Sequence, residues 1–259
     1  NQVAARLTVA DLVRFGRFPH GKGRLGPDDD RIVDENYAGV SRWHTILAGQ
    51  LTNLSTPQPF VLLQQPIGDW AAPRPDPERS ADHDESTFMF VYGSELLASW
   101  ARRRGNSSDL ARIQRLLTTV KAHYHANFYD NKTGAYRDKL APQETDGYMP
   151  LSQMMALRLG VVAPEKRQAL FDFLLQLVRG EQPGPSALYP NHTGWGIVTQ
   201  RYMYETLSEF GRTDVGLQLL LQSDFPSVGR WVDQGATMPG GPTEYGATTL
   251  WETFGNNAR

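Results

Sequence analysis

Apolar residues recur at three- and four-residue steps along most of the chain, the spacing of one face of a helix. Ile32 or Val33, Tyr37, Val40, Trp43 and Leu47 form the first such series, following the acidic cluster Asp28-Asp29-Asp30, which suits a helix start. Phe88, Tyr92, Leu96 and Trp100 repeat the pattern up to Gly105. Leu110, Ile113, Leu117, Val120 and Tyr124 follow Ser108, read as an N-cap. After a polar stretch, Leu151 to Leu159 runs to Gly160; Pro164 then opens Leu170, Phe173, Leu174 and Leu177, which Gly180 closes. Ile197, Tyr202 or Met203, Leu207 and Phe210 end at Gly211, and Val215 to Leu221 follows at once. On these faces Trp43 and Trp100 read as core.

Short glycine-marked turns imply antiparallel neighbours, so the repeated unit is an αα-hairpin. No shared positions recur at a fixed period, which disfavours the common helical solenoids. The expected fold is all-α, an (α/α)6-toroid-like array of helical hairpins whose longer loops gather at one end. Residues 1–27 lack this patterning and mix glycine, proline and charge like a connector, leaving 28–259 as the domain.

Composition narrows the partners. With 26 basic and 28 acidic residues the chain has no charge excess to hold a nucleic acid or an anionic membrane. No apolar run approaches the roughly 20 residues that span a bilayer, so membrane insertion is not expected. Cysteine is absent, and the six histidines show no ligand spacing, so neither a metal nor another cofactor is expected. Asn53, Asn106, Asn131 and Asn191 each begin an N-glycosylation acceptor triplet, where chance predicts roughly one. The excess points to a secreted, extracellular glycoprotein with its acceptors on exposed turns. The plainer reading is ordinary turn asparagines beside hydroxyl residues.

Two segments carry candidate chemistry. Gly68-Asp69-Trp70 opens a polar, proline-rich loop, and Gly246-Ala247-Thr248-Thr249-Leu250-Trp251-Glu252 lies near the end of the chain. Glycosidic cleavage needs one carboxyl as acid and a second as base or nucleophile, so two acid-bearing loops suit a glycosidase. Trp70 and Trp251 stand beside those carboxyls, and an indole offers a flat apolar face and an N–H to a sugar. Trp195 and Trp231, each beside a loop, could line further subsites. Taken alone, Glu252 is better explained as a surface acid near a helix start, and Asp69 could be a turn former or a helix cap.

Further segments agree with one another. Gly194-Trp195-Gly196-Ile197, Arg201-Tyr202-Met203-Tyr204, Gly211-Arg212-Thr213-Asp214, Asp224-Phe225-Pro226-Ser227 and Gly246 to Glu252 resemble the C-terminal half of the catalytic domain of glycoside hydrolase family 78 α-L-rhamnosidases. Gly68-Asp69-Trp70, the Arg31 to Trp43 helix, Ser152-Gln153 and Ala156 to Gly160 fit the same pattern in the same order. The resemblance implies an (α/α)6 barrel and an inverting mechanism, with Glu252 in the base position and Asp69 in a rhamnose-binding position. It implies a general acid beyond the Gly-Asp-Trp motif, for which Asp76 after Arg74 and the nearby Glu78 compete, with Asp82, Asp84 and Glu85 crowding the choice. Arg74 would offer a fork of donors to sugar hydroxyls.

Three departures from the family pattern stand out. The usual tryptophan- and aspartate-rich segment before the Asp28 helix is not recognisable, Thr237 to Tyr245 reads as an insertion, and the helix bearing a further substrate-binding histidine is not found after Glu252. The expectation is therefore an incomplete toroid whose remaining parts belong to a larger polypeptide, or a remnant without catalysis.

The function these readings favour is a secreted glycosidase removing terminal α-L-rhamnose from a rhamnose-containing carbohydrate. A non-catalytic extracellular scaffold or carbohydrate-binding protein on the same fold is the alternative. A polysaccharide lyase is a third reading, and would need a tyrosine or histidine base beside a cation that neutralises a uronate.

Overall fold

The computed structural model describes residues 27–52, 83–138, 147–183, 188–230, 237–238 and 241–242. The architecture is all-α, as the periodicity predicts, with two short antiparallel ladders among the described residues. It divides into two compact units, one within Asn1–Leu63 and Met89–His123, the other within Gln64–Phe88 and Tyr124–Arg259.

In the first unit, helix α1 (Pro27–Thr52) packs with parts of α2 (His83–Arg103) and α3 (Ser107–Phe128). Tyr37, Leu97, Ala98, Trp100, Ala101 and Ile113 form its apolar core, with the Tyr37 ring edge-on to Trp100 at 5.3 Å. The face α1 buries differs from the expected one. Tyr37, His44 and Leu51 point inward, while Val40 is 42%, Trp43 61% and Ile46 54% exposed. Three- and four-residue spacing defines an apolar stripe but not which of its edges meets a neighbour; here the inward edge runs in seven-residue steps and includes a histidine.

The α2–α3 turn also corrects the sequence reading. Asn106, not Ser108, caps α3: its Oδ1 accepts the backbone N–H of Asp109 at 3.1 Å. Asp109 in turn gathers the unit's polar groups, accepting from Tyr37 Oη at 2.6 Å, Ser41 Oγ at 3.1 Å and Arg112 Nη2 at 3.1 Å. The Tyr37 hydroxyl is pushed up to about 12 by burial and by this carboxylate.

The second unit is built around α4 (Pro150–Leu159), where every residue except Arg158 is buried. Helices α5 (Arg167–Val178) and α6 (Ile197–Glu209) and the strand β2 (Ala135–Tyr136) all pack against it. Pro150 starts α4 at the position where its missing N–H costs nothing, and Gly160 ends it at φ 66°, a left-handed conformation that disfavours any side chain. A 3-10 turn, Pro164–Lys166, leads into α5, whose Phe171, rather than Phe173, carries the core contact, stacked on Phe210 at 4.1 Å. Helix α6 and α7 (Thr213–Leu221) form the next hairpin through Gly211.

Between α3 and α4, in what the sequence shows only as a polar stretch, β1 (Tyr129–Asp130) pairs with β2, Tyr129 opposite Tyr136. Gln153 fastens this hairpin to α4. Its Oε1 accepts from Tyr136 N–H at 2.8 Å, and its Nε2 donates to the carbonyls of Tyr136 at 2.8 Å and Met149 at 2.9 Å. Near the end of the described residues, β3 (Thr237–Met238) pairs with β4 (Gly241–Pro242). No described helix is long and apolar enough to cross a membrane.

Candidate active site

Of the expected site residues, Asp69, Trp70, Arg74, Asp76, Glu78, Trp231, Trp251 and Glu252 lie outside the described residues, as do Asp82 and the acceptor Asn53. Trp195, Asp84 and Glu85 lie within them.

Trp195 sits in the loop before α6 and is fully buried, its indole N–H enclosed without a hydrogen-bond partner among the described residues. It offers no open stacking face; a neighbouring glycine in sequence marks a loop but does not tell which way a large ring turns. The loop itself is firmly held. His192 faces the Pro190 carbonyl through Nδ1 at 2.8 Å and Asp224 Oδ1 through Nε2 at 2.7 Å. Thr193 N–H donates to the Pro226 carbonyl at 3.3 Å, and Gln222 Nε2 donates to that of Asn191 at 3.0 Å. The hydrogen bond from His192 holds the Asp224 carboxyl below its ordinary range. One segment that carries the family resemblance, Asp224 to Ser227, is thus clamped to His192 and Thr193, which lead directly into another, Gly194 to Ile197. A separation of 32 positions hides the His192–Asp224 pair from any reading of local pattern.

Asp84 and Glu85 occupy the first turn of α2, where negative charge suits the helix dipole. Both are buried, and with Asp138, Ser152 and Met155 they border a cavity of about 10 Å³, room for one water molecule and not for a sugar. Ser152 Oγ donates to Asp84 Oδ2 at 2.6 Å. Burial, then the nearby Asp84 charge, pushes the Tyr124 hydroxyl well above its usual range. A general acid must come within hydrogen-bond reach of the glycosidic oxygen. Enclosed as they are, Asp84 and Glu85 drop out of the competition for that role.

Among the three described acceptor asparagines only Asn131 is exposed, on the β1–β2 turn. Asn106 and Asn191 are half-buried, contrary to the expectation of exposed turns, because one caps a helix and the other, at φ 60°, belongs to the clamped loop. Among the described residues no cluster of three or more His, Asp or Glu could hold a metal ion.

Residues 26–239 match the family model described as the bacterial alpha-L-rhamnosidase 6 hairpin glycosidase domain. The chain belongs to this family. The match carries the helical hairpins described above and ends short of Glu252. The chain is 23% identical over 267 aligned residues to an alpha-L-rhamnosidase of Formosa agariphila, covering 97% of this chain and 25% of that protein. It is 23% identical over 217 residues to an alpha-L-rhamnosidase of Alteromonas sp. (strain LOR), covering 81% of this chain and 21% of that one. The chain therefore spans about a quarter of the length of these relatives or less.

Solved structures agree on the fold. An alpha-L-rhamnosidase from Dictyoglumus thermophilum superposes with a TM-score of 0.64 at 23% identity, over 88% of this chain and 22% of that one. A Streptomyces avermitilis alpha-L-rhamnosidase complexed with L-rhamnose superposes with a TM-score of 0.61 at 21% identity, over 86% and 18%.

Proposed function

We propose that this chain contributes to the catalytic domain of a glycoside hydrolase that removes terminal α-L-rhamnosyl residues from glycans with inversion. The family match across residues 26–239 is the observation that carries this reading. Inversion requires a protonated acid at the glycosidic oxygen and an ionised base beside a water on the opposite face, the two carboxyls about 6.5–9.5 Å apart. Glu252 is the base in this reading, and Asp69 contacts the rhamnose. Asp76 and Glu78 are the candidates for the acid, now that the enclosed Asp84 and Glu85 are set aside.

The test is release of rhamnose from an aryl α-L-rhamnoside by the full-length protein and by its Glu252→Gln variant. The amide is nearly isosteric but cannot take the water's proton, so release should fall by at least about 100-fold while binding survives. An acid at Asp76 would make Asp76→Asn slow poor leaving groups far more than activated ones, and the same contrast in Glu78→Gln would move the role there. If neither variant discriminates leaving groups, the acid lies elsewhere in the polypeptide. Rhamnoside binding without release by the wild-type protein would replace the enzyme reading with that of a carbohydrate-binding scaffold.

A further inference from the structure

A second cleft in the α4-centred unit has no part in the hydrolytic scheme. It has a volume of about 350 Å³ and lies between the end of α3, the β1–β2 hairpin and the turn from α4 to α5. That is at the small end of ligand pockets, which run from about 300 to 1,000 Å³, and suits one or two sugar rings.

Its walls are built, not incidental. His125, one helical turn before Tyr129, lies against that ring with centroids 4.6 Å apart and planes 21° from parallel. Tyr136, opposite Tyr129 in the ladder, places its hydroxyl 2.7 Å from His125 Nδ1. Lys166 reaches in from the 3-10 turn and donates to Tyr129 Oη at 3.0 Å, leaving its remaining N–H bonds for a ligand. Val162 and Pro164 supply an apolar wall. No described carboxylate lines the cleft, and Lys166 makes no ion pair with any described residue, although Glu165 adjoins it in sequence. Burial and the Lys166 charge depress the His125 pKa, so the imidazole is neutral at pH 7 and the cleft's positive charge resides on Lys166.

The apolar carbons of the tyrosine rings and of the Val162–Pro164 wall complement the C–H positions of a sugar, and an ammonium without a described ion-pair partner complements an oxyanion. We infer that this cleft is a secondary binding site for an acidic saccharide, a sugar ring bearing a carboxylate or a sulfate, separate from the hydrolytic centre. The choice of a saccharide rests on the carbohydrate-active reading above. Binding can be measured without rhamnose release, so the two can fail independently.

The experiment titrates the full-length protein with sodium D-glucuronate, D-glucose and inorganic sulfate, following the His125 ring protons by NMR. Glucuronate should bind in the millimolar range and shift those protons, with glucose and sulfate each at least about 5-fold weaker, since one lacks the charge and the other the ring. Lys166→Ala should weaken glucuronate binding about 5- to 10-fold and leave rhamnose release unchanged; Lys166 is exposed, so the fold should tolerate it. Equal binding of glucose and glucuronate would overturn the proposal. So would sulfate binding as tightly as glucuronate, which marks a bare anion site, or an affinity indifferent to Lys166→Ala.

Discussion

Helices α1 and α4 use their sequences in opposite ways. Helix α4 is ten residues long and buries nine of them, because α5, α6 and β2 surround it. Helix α1 is 26 residues long, yet only Tyr37, His44 and Leu51 are buried among its described side chains. One is specified by volume, since little except its apolar bulk fits the space. The other is specified by polar pairing: Tyr37 and Ser41 both donate to Asp109, and His44 is matched to Ser94. Polar pairing is directional, so it fixes rotation and register with little buried area. Even α4 has directional elements: Ser152 donates to Asp84, and Gln153 ties the helix to the β-hairpin.

The contrast breaks most readily at Gln153. Replacing it with alanine removes three hydrogen bonds in a buried setting and orphans the Tyr136 N–H and carbonyl. At about 1–3 kcal/mol per orphaned group, the loss should be about 3 kcal/mol or more in urea denaturation. A loss below about 1 kcal/mol would mean that packing alone holds the hairpin.

In the other unit the sensitive group is His44. Ser94 gives its single proton to the Phe90 carbonyl at 2.6 Å, so His44 Nε2 must donate to Ser94 Oγ at 2.8 Å. Burial, then the adjacent Arg112, lowers the His44 pKa from 6.5 to about 4. Between those values the unfolded chain binds the proton and the folded one does not. The contribution is therefore complete above pH 6.5 and is lost as pH falls towards 4. Allowing for partial screening, the loss should be on the order of 1–2 kcal/mol. His44→Gln keeps a donor for Ser94 and an acceptor for Arg112 and should flatten that part of the profile. An unchanged slope would remove His44 as its source.

The smallest effect is expected at Trp43. With 61% of the residue exposed, Trp43→Ser should change stability by less than about 0.5 kcal/mol. A cost above about 1.5 kcal/mol would show that this face is covered in solution and that α1 is less open than described.

Much of this architecture is legible in the sequence. The helices, and the glycines that end them at positions 105, 160, 180 and 211, follow from periodicity and stop signals; all four glycines have positive φ. Trp43 shows the limit of that reasoning. An apolar spacing reveals a stripe, whereas the number of neighbours around a helix decides how much of the stripe is buried. The same holds for Trp195, a loop residue that turned inward. The Asp109 network, the Gln153 clasp and the His192–Asp224 pair join residues distant in sequence through polar side chains, which carry no period. Local pattern could supply the candidate carboxyls at Asp84 and Glu85, but only their enclosure around a single-water cavity separates them from a catalytic role.

Hydrolysis of α-L-rhamnosides by inversion is tested most directly by the anomer released first. Proton NMR of the full-length protein acting on an aryl α-L-rhamnoside, recorded before mutarotation, should show the β-anomer of L-rhamnose appearing first and the α-anomer growing in later. Initial accumulation of the α-anomer would contradict the two-carboxylate inverting assignment, and an absence of any released rhamnose would contradict the enzyme itself.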